Sequence, residues 1–146
     1  MLFLRLFSFL FFFTTLGADA LAINPEELLK KARTLEGNGF LEEATQSWEK
    51  LTTVDTNLNF VIYAQLKLGI TYLKLKQFEK SIDILKTTTV SHPDNFDAHF
   101  SLANSLSAFK NFPGAIKSYK KTITLKPKEA LSYVGLGLSL FGNGDS

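Results

Sequence analysis

Beyond its first twenty or so residues, the chain repeats apolar side chains at intervals of three and four, the period of one face of a helix. Polar breaks divide this pattern into segments of helical length. Asn24-Pro25 precedes the first run, with Glu26 and Glu27 in the opening turn, where the helix dipole favours acids. Asn38-Gly39 is a turn signal, and Leu41 to about Val54 reads as the next helix. Asp55–Asn59 is polar, and helices are then expected over about Phe60–Lys74 and Phe78–Val90. Ser91-His92-Pro93-Asp94 closes that pair. A further pair is predicted over Phe96–Phe109 and Pro113–Leu125, ending at Lys126-Pro127, and a last helix over about Lys128–Phe141. Thr87-Thr88-Thr89-Val90 is rich in β-branched residues, which lowers helix propensity. It ends a periodic segment, so it is read as a fraying last turn.

The N-terminus follows a different pattern. Arg5 lies near the amino end, an apolar run rich in Phe extends over Leu6–Leu16, and small residues follow at Ala18, Ala20 and Ala22. Positive start, short apolar stretch and small-x-small site are the three parts of a secretory leader. The apolar run falls short of the ~20 residues that span a bilayer. Residues 1–22 are therefore expected to be a cleaved signal peptide, with an uncleaved signal anchor as the alternative. The mature chain is then expected outside the cytoplasm: in a periplasm, a secretory or organelle lumen, or secreted.

The helical segments repeat. Ser81 and Ala115 are separated by an offset of 34, and the same offset aligns Leu68-Gly69 with Leu102-Ala103, Tyr72 with Leu106, Phe78 with Phe112, Leu85 with Tyr119, and Pro93 with Pro127. A second step of 34 brings Tyr133, Leu136-Gly137 and Leu140 into the same places. In the first copy, Ala44 and Trp48 take the small and aromatic places of the second helix, but Ala44 lies 37 before Ser81. Three extra residues are therefore expected near Asp55–Phe60. Small residues at these places allow close helix approach, and large ones fill the gaps.

These positions resemble those of the tetratricopeptide repeat family. The resemblance implies an all-α fold: a right-handed α-solenoid of antiparallel helix pairs, about three pairs plus one additional helix. Repeat 1 would cover 25–57 and be divergent, repeat 2 would cover 60–94, repeat 3 96–127, and an incomplete repeat 4 128–146. It also implies that the first helices of the pairs line a concave groove for a peptide or protein segment. The matching places are Leu29, Arg33 and Glu36; then Tyr63, Leu66, Ile70, Leu73 and Lys74; then Asp97, Phe100, Asn104 and Ser107; then Leu131, Val134, Leu138 and Phe141. Some members of the family clamp the C-terminal carboxylate of a chaperone with Lys and Asn on the first helix. The matching places here hold Leu29 and Arg33, or Leu66 and Ile70 one pair on, so that role is not expected.

Composition narrows the chemistry. The 146 residues are 45% hydrophobic and 21% charged, with a net charge of +2 and no cysteine. Disulfides, thiolate metal sites and a cysteine nucleophile are excluded. No dense Lys/Arg run marks a nucleic-acid partner. From Ile23 to Asn57 four Lys/Arg stand against seven Asp/Glu; from Leu58 onward eleven stand against six. His92 and His99, without a third ligand, make no zinc site. Gly142-Asn143-Gly144-Asp145 lacks the Lys and the following helix of a phosphate loop. No enzyme activity, metal or cofactor is expected.

The reading is an exported adaptor or assembly factor that binds protein. The alternatives are a membrane-anchored structural subunit of an envelope or organelle complex, and a truncated fragment of a longer repeat protein. The last helix bears on both: Ser132 and Ser139 are its only polar residues over Leu131–Phe141. A capping helix should present a polar face. This one is expected to be internal or to self-associate.

Overall fold

The computed structural model describes residues 24–54 and 57–144; the leader, 1–22, lies outside them. Among the described residues the chain is all-helical: α1 (Pro25–Gly37), α2 (Leu41–Val54), α3 (Leu58–Lys74), α4 (Phe78–Ser91), α5 (Phe96–Ala108), α6 (Phe112–Leu125) and α7 (Ala130–Asn143). Each packs against the next in sequence. The boundaries agree with the sequence pattern to within two residues, and the Thr87–Val90 segment is helical to Ser91.

Four of the seven described helix starts have a common cause. Asn24, Asn57, Asn95 and Asn111 each accept a backbone N–H of the first turn on the side-chain oxygen. The extra residues between the first and second copies also find a place. Asn95 caps α5, and the matching place one repeat earlier is Val61, but α3 is capped by Asn57 and begins at Leu58. The insertion thus adds a helical turn to α3.

The turn inside each pair is a repeated device. Gly39, Lys76, Lys110 and Gly144 all have positive φ, at 83°, 58°, 62° and 83°. They fall at one place in the repeat, at successive offsets of 37, 34 and 34. The residue after each of the first three donates its N–H back across the turn: Phe40 to Leu35 O at 2.9 Å, Gln77 to Tyr72 O at 2.9 Å and Asn111 to Leu106 O at 2.8 Å. This closes the spare carbonyls at the helix end. Between pairs, the turns before Pro93 and Pro127 also match. His92 and Lys126 have φ near −133° and −135°, and both bond back to a threonine carbonyl.

Two apolar clusters form the core. Leu28, Ala32, Ala44, Trp48, Leu51, Ala64, Leu68 and Tyr72 join α1, α2 and α3. Ile82, Leu85, Leu102, Ala103, Leu106, Ala115 and Tyr119 join α4, α5 and α6. Ile84 packs against both. The small residues work as close-approach sites: a Cβ on Gly69 would lie 2.5 Å from Leu85 Cγ. Ser81 fits the same crowding with a polar atom. Its hydroxyl bonds Gly69 O at 2.7 Å and Ser105 Oγ at 2.7 Å, so one side chain links α3, α4 and α5.

The path of the chain sets an inner and an outer side. α5 touches α3 and α7 as well as its neighbours in sequence, while no comparable contact joins α2 to α4 or α4 to α6 among the described residues. From α3 onward, first helices that touch one another while second helices splay apart put the first helices on the inside of a curve, and α1 reaches α3 on that side through the Glu36 ion pairs to Lys67 and Lys74. None of the described helices is long and apolar enough to cross a membrane.

Candidate functional site

The groove places fall on one stripe of each first helix. Tyr63, Leu66, Ile70 and Leu73 are spaced 3, 4 and 3 along α3; Asp97, Phe100, Asn104 and Ser107 match them on α5, and Leu131, Val134, Leu138 and Phe141 on α7. Residues at that spacing share a helix face.

Their surroundings divide them into three groups. At the α1–α3 junction the surface is charged. Glu36 forms ion pairs with Lys67 Nζ at 3.3 Å and Lys74 Nζ at 2.8 Å. The Arg33 guanidinium lies 5.1 Å from the centre of the Tyr63 ring, and Lys67 lies 6.0 Å from it. Tyr63 itself meets Trp48 edge-on at 5.8 Å. Burial raises the Glu36 pKa, but Lys74 and Lys67 outweigh it and hold the carboxyl below its usual value. Sequence reasoning missed Lys67. The signal was its place one residue after Leu66, near the edge of the same stripe.

In the middle, the places are partly committed to the core. Leu66 and Phe100 pack against the second apolar cluster, and Phe100 meets Tyr119 edge-on at 6.1 Å. Asn104 Oδ1 accepts the Tyr119 hydroxyl at 2.6 Å, and burial raises that phenol's pKa. Asp97 is exposed. The third group, Leu131, Val134, Leu138 and Phe141 on α7, stands fully in solvent, each more than half exposed.

The repeat-signature residues are mostly structural. Trp48 is fully buried, and Ala44, Leu68, Tyr72, Ser81, Leu102, Ala103, Ala115 and Tyr119 are buried with it. Phe78 packs on Phe109 at 6.2 Å. Gly137 departs from the expectation of close approach, because nothing lies within 4 Å of where its Cβ would be. The close-approach glycines of α7 are instead Gly135, against Tyr119, and Gly142, against Phe112.

The histidine places are explained by the repeat. His99 Nε2 lies 2.9 Å from Pro93 O, and Tyr133, in the matching place one repeat on, bonds Pro127 O at 2.9 Å. Both tie the helix to the turn before it. Burial pushes the His99 pKa down, the Pro93 bond opposes this, Lys121 adds to it and Asp94 opposes it. Among the described residues there is no group of three or more His, Cys, Asp or Glu able to hold a metal ion. On the outer side, a cleft of about 540 Å³ lies between α4, α5 and α6, floored by Leu102 and Leu106 and edged by Lys86, Lys117 and Lys121.

Residues 63–95, which run from α3 through α4, match the sequence profile of the tetratricopeptide repeat. The fold is a tetratricopeptide-type solenoid. Solved structures of the same solenoid agree over most of its length. The MamA protein of Desulfovibrio magneticus RS-1 superposes with a TM-score of 0.75 at 21% identity, covering 84% of this chain and 67% of that one. Another MamA crystal structure gives 0.76 at 28% identity, covering 87% and 72%. The first repeat domain of Spaghetti (RPAP3), bound to the HSP90 peptide SRMEEVD, gives 0.74 at 15% identity, covering 85% and 98%. No curated protein matches the solenoid in sequence.

Proposed function

We propose that this solenoid is an exported, non-enzymatic binding module that holds an extended segment of another protein along its inner face. The observation that carries the reading is the arrangement of the first helices. α1, α3 and α5 present a continuous stripe on the inside of the curve, charged at the Arg33–Glu36–Lys67–Lys74 end and apolar from Ile70 and Leu73 toward Phe100. Three cations gather there beside one carboxylate, so a segment with acidic side chains at that end and apolar ones beyond it is the best complement. The RPAP3 domain, of the same fold, is seen with a peptide, which supports the mode of binding. It does not extend to the same peptide, because the Lys and Asn clamp has no counterpart at Leu29, Arg33, Leu66 or Ile70.

Export rests on the leader: Arg5, the Leu6–Leu16 run and the small residues at 18–22. The N-terminal sequence of the protein recovered from its host checks it. A start at Leu21 or Ile23 is expected; an intact Met1 in the membrane fraction would favour the anchored alternative.

The test of the groove must use side chains that do not also hold the core. Leu66 and Phe100 pack in the second cluster, so charging them would disturb folding as well. Arg33 and Lys67 are better placed. Arg33→Glu combined with Lys67→Glu is expected to weaken partner binding at least tenfold and leave the thermal melt within a few degrees. Unchanged binding would sink the inner-face reading.

A further inference from the structure

The molecule contains its own comparison for the face that α7 leaves open. Leu68, Gly69 and Tyr72 on α3 are buried, as are Leu102, Ala103 and Leu106 on α5. The helix that follows covers part of each set: Leu85 of α4 lies against Gly69, and Ala115 and Tyr119 of α6 share a cluster with Leu102, Ala103 and Leu106. The matching residues on α7 are Leu136, Gly137 and Leu140; the two leucines are half-buried and Gly137 is exposed with open space above it. The groove stripe shows the same trend: half-buried on α3, where α5 stands beside it, and bare on α7.

The helix is also inside out in polarity. Ser132 and Ser139 are fully buried, with Ser132 Oγ accepting the Thr122 hydroxyl at 2.9 Å and Ser139 bonding Gly135 O at 2.8 Å. The large apolar residues face solvent: Leu131, Tyr133, Val134, Leu138 and Phe141 are 49–78% exposed. No charged residue occurs between Ala130 and Asn143.

We propose that the open face of α7 binds the same face of a second copy of this chain, forming a two-fold symmetric dimer. The absence of charge selects this occupant. A two-fold contact places like against like, and an uncharged apolar stripe is complementary to itself. The 3-4-3 spacing of Leu131, Val134, Leu138 and Phe141 is that of a helix–helix seam, and Gly137 beside it allows close approach. The opposite end of the solenoid is a poor alternative. α1 presents Glu26, Glu27, Lys30, Lys31 and Arg33 exposed, so head-to-tail stacking would bury those charges against hydrocarbon. The exposed α7 side chains offer on the order of 500 Å² from each copy, about what a specific interface has to clear in total when two copies meet.

The chain has no cysteine, so a single introduced one reports cleanly. The experiment uses the full chain as recovered from its host, in sedimentation velocity over ~1–100 µM and in oxidative cross-linking. The wild type is expected to pass from monomer to dimer in that range. Gly137→Cys is expected to form a disulfide-linked dimer while Lys30→Cys does not. Leu138→Glu is expected to weaken association at least tenfold with an unchanged melt, and Leu131→Glu repeats the test at a second site. A monomer throughout, a dimer indifferent to both Glu variants, or cross-linking through Lys30→Cys would overturn the proposal.

Discussion

Individual residues carry contrasts that the repeat makes testable. Gly69 and Gly137 occupy the same place, two repeats apart, in opposite surroundings. Gly69→Ala drives a methyl into Leu85 and is expected to destabilise by about 1–3 kcal/mol. Gly137→Ala meets open space within one copy, in a helix interior, and is expected to stabilise the monomer, melted below the concentration at which it dimerises, by about 0.5–1 kcal/mol. Urea melts of the two variants check both signs. Lys76 and Lys110 stand in the left-handed region where the other copies have Gly39 and Gly144. Lys110→Gly is expected to raise stability by about 0.5–1 kcal/mol in the same assay, since the Cβ strain exceeds the added chain freedom. That strain was not legible in the sequence, because Lys-Asn and Lys-Gln are weak turn signals.

Tyr72 gives a pH test. Its phenol donates to Glu49, and its pKa is pushed up to about 12, first by burial and then by that bond and charge. The folded value lies above the ordinary 10, so the neutral phenol's contribution is whole below pH 10 and lost as the pH rises through 12. Between those limits Tyr72→Phe is expected to lose less thermal stability than the wild type. An equal loss in both would contradict the burial account.

At the scale of elements, the sequence pattern was sufficient where period and caps agreed. Asn24 before Pro25, the offset of 34 and the Pro93 and Pro127 stops placed the helices to within two residues. Where one element's role depends on another, the pattern was silent. Ser132 and Ser139 were legible as the only polar residues over Leu131–Phe141, but not that both are buried. The three-residue insertion was legible as a length, but not as an added turn of α3. Caps should carry measurable weight: Asn95 accepts Ala98 N at 3.0 Å, and Asn95→Ala is expected to cost about 1 kcal/mol. Gln77 makes no cap bond at the start of α4, so Gln77→Ala is expected to change stability by much less.

For the whole molecule, the two clusters joined at Ile84 make a continuous core from α1 to α7, and function is assigned to its two open surfaces. The inner stripe was legible in outline from the repeat, since its places recur in each copy. Its charge was not: the Glu36 network depends on Lys67 and Lys74 reaching from α3 to α1. The central claim is that the inner face holds the partner. Its most direct measurement is site-specific photocross-linking of the protein in its native compartment, with the reactive side chain at Ile70 on the stripe or at Lys117 on the outer cleft. The account predicts a partner adduct from Ile70 that Arg33→Glu with Lys67→Glu abolishes, and none from Lys117. An adduct from Lys117 alone would contradict it.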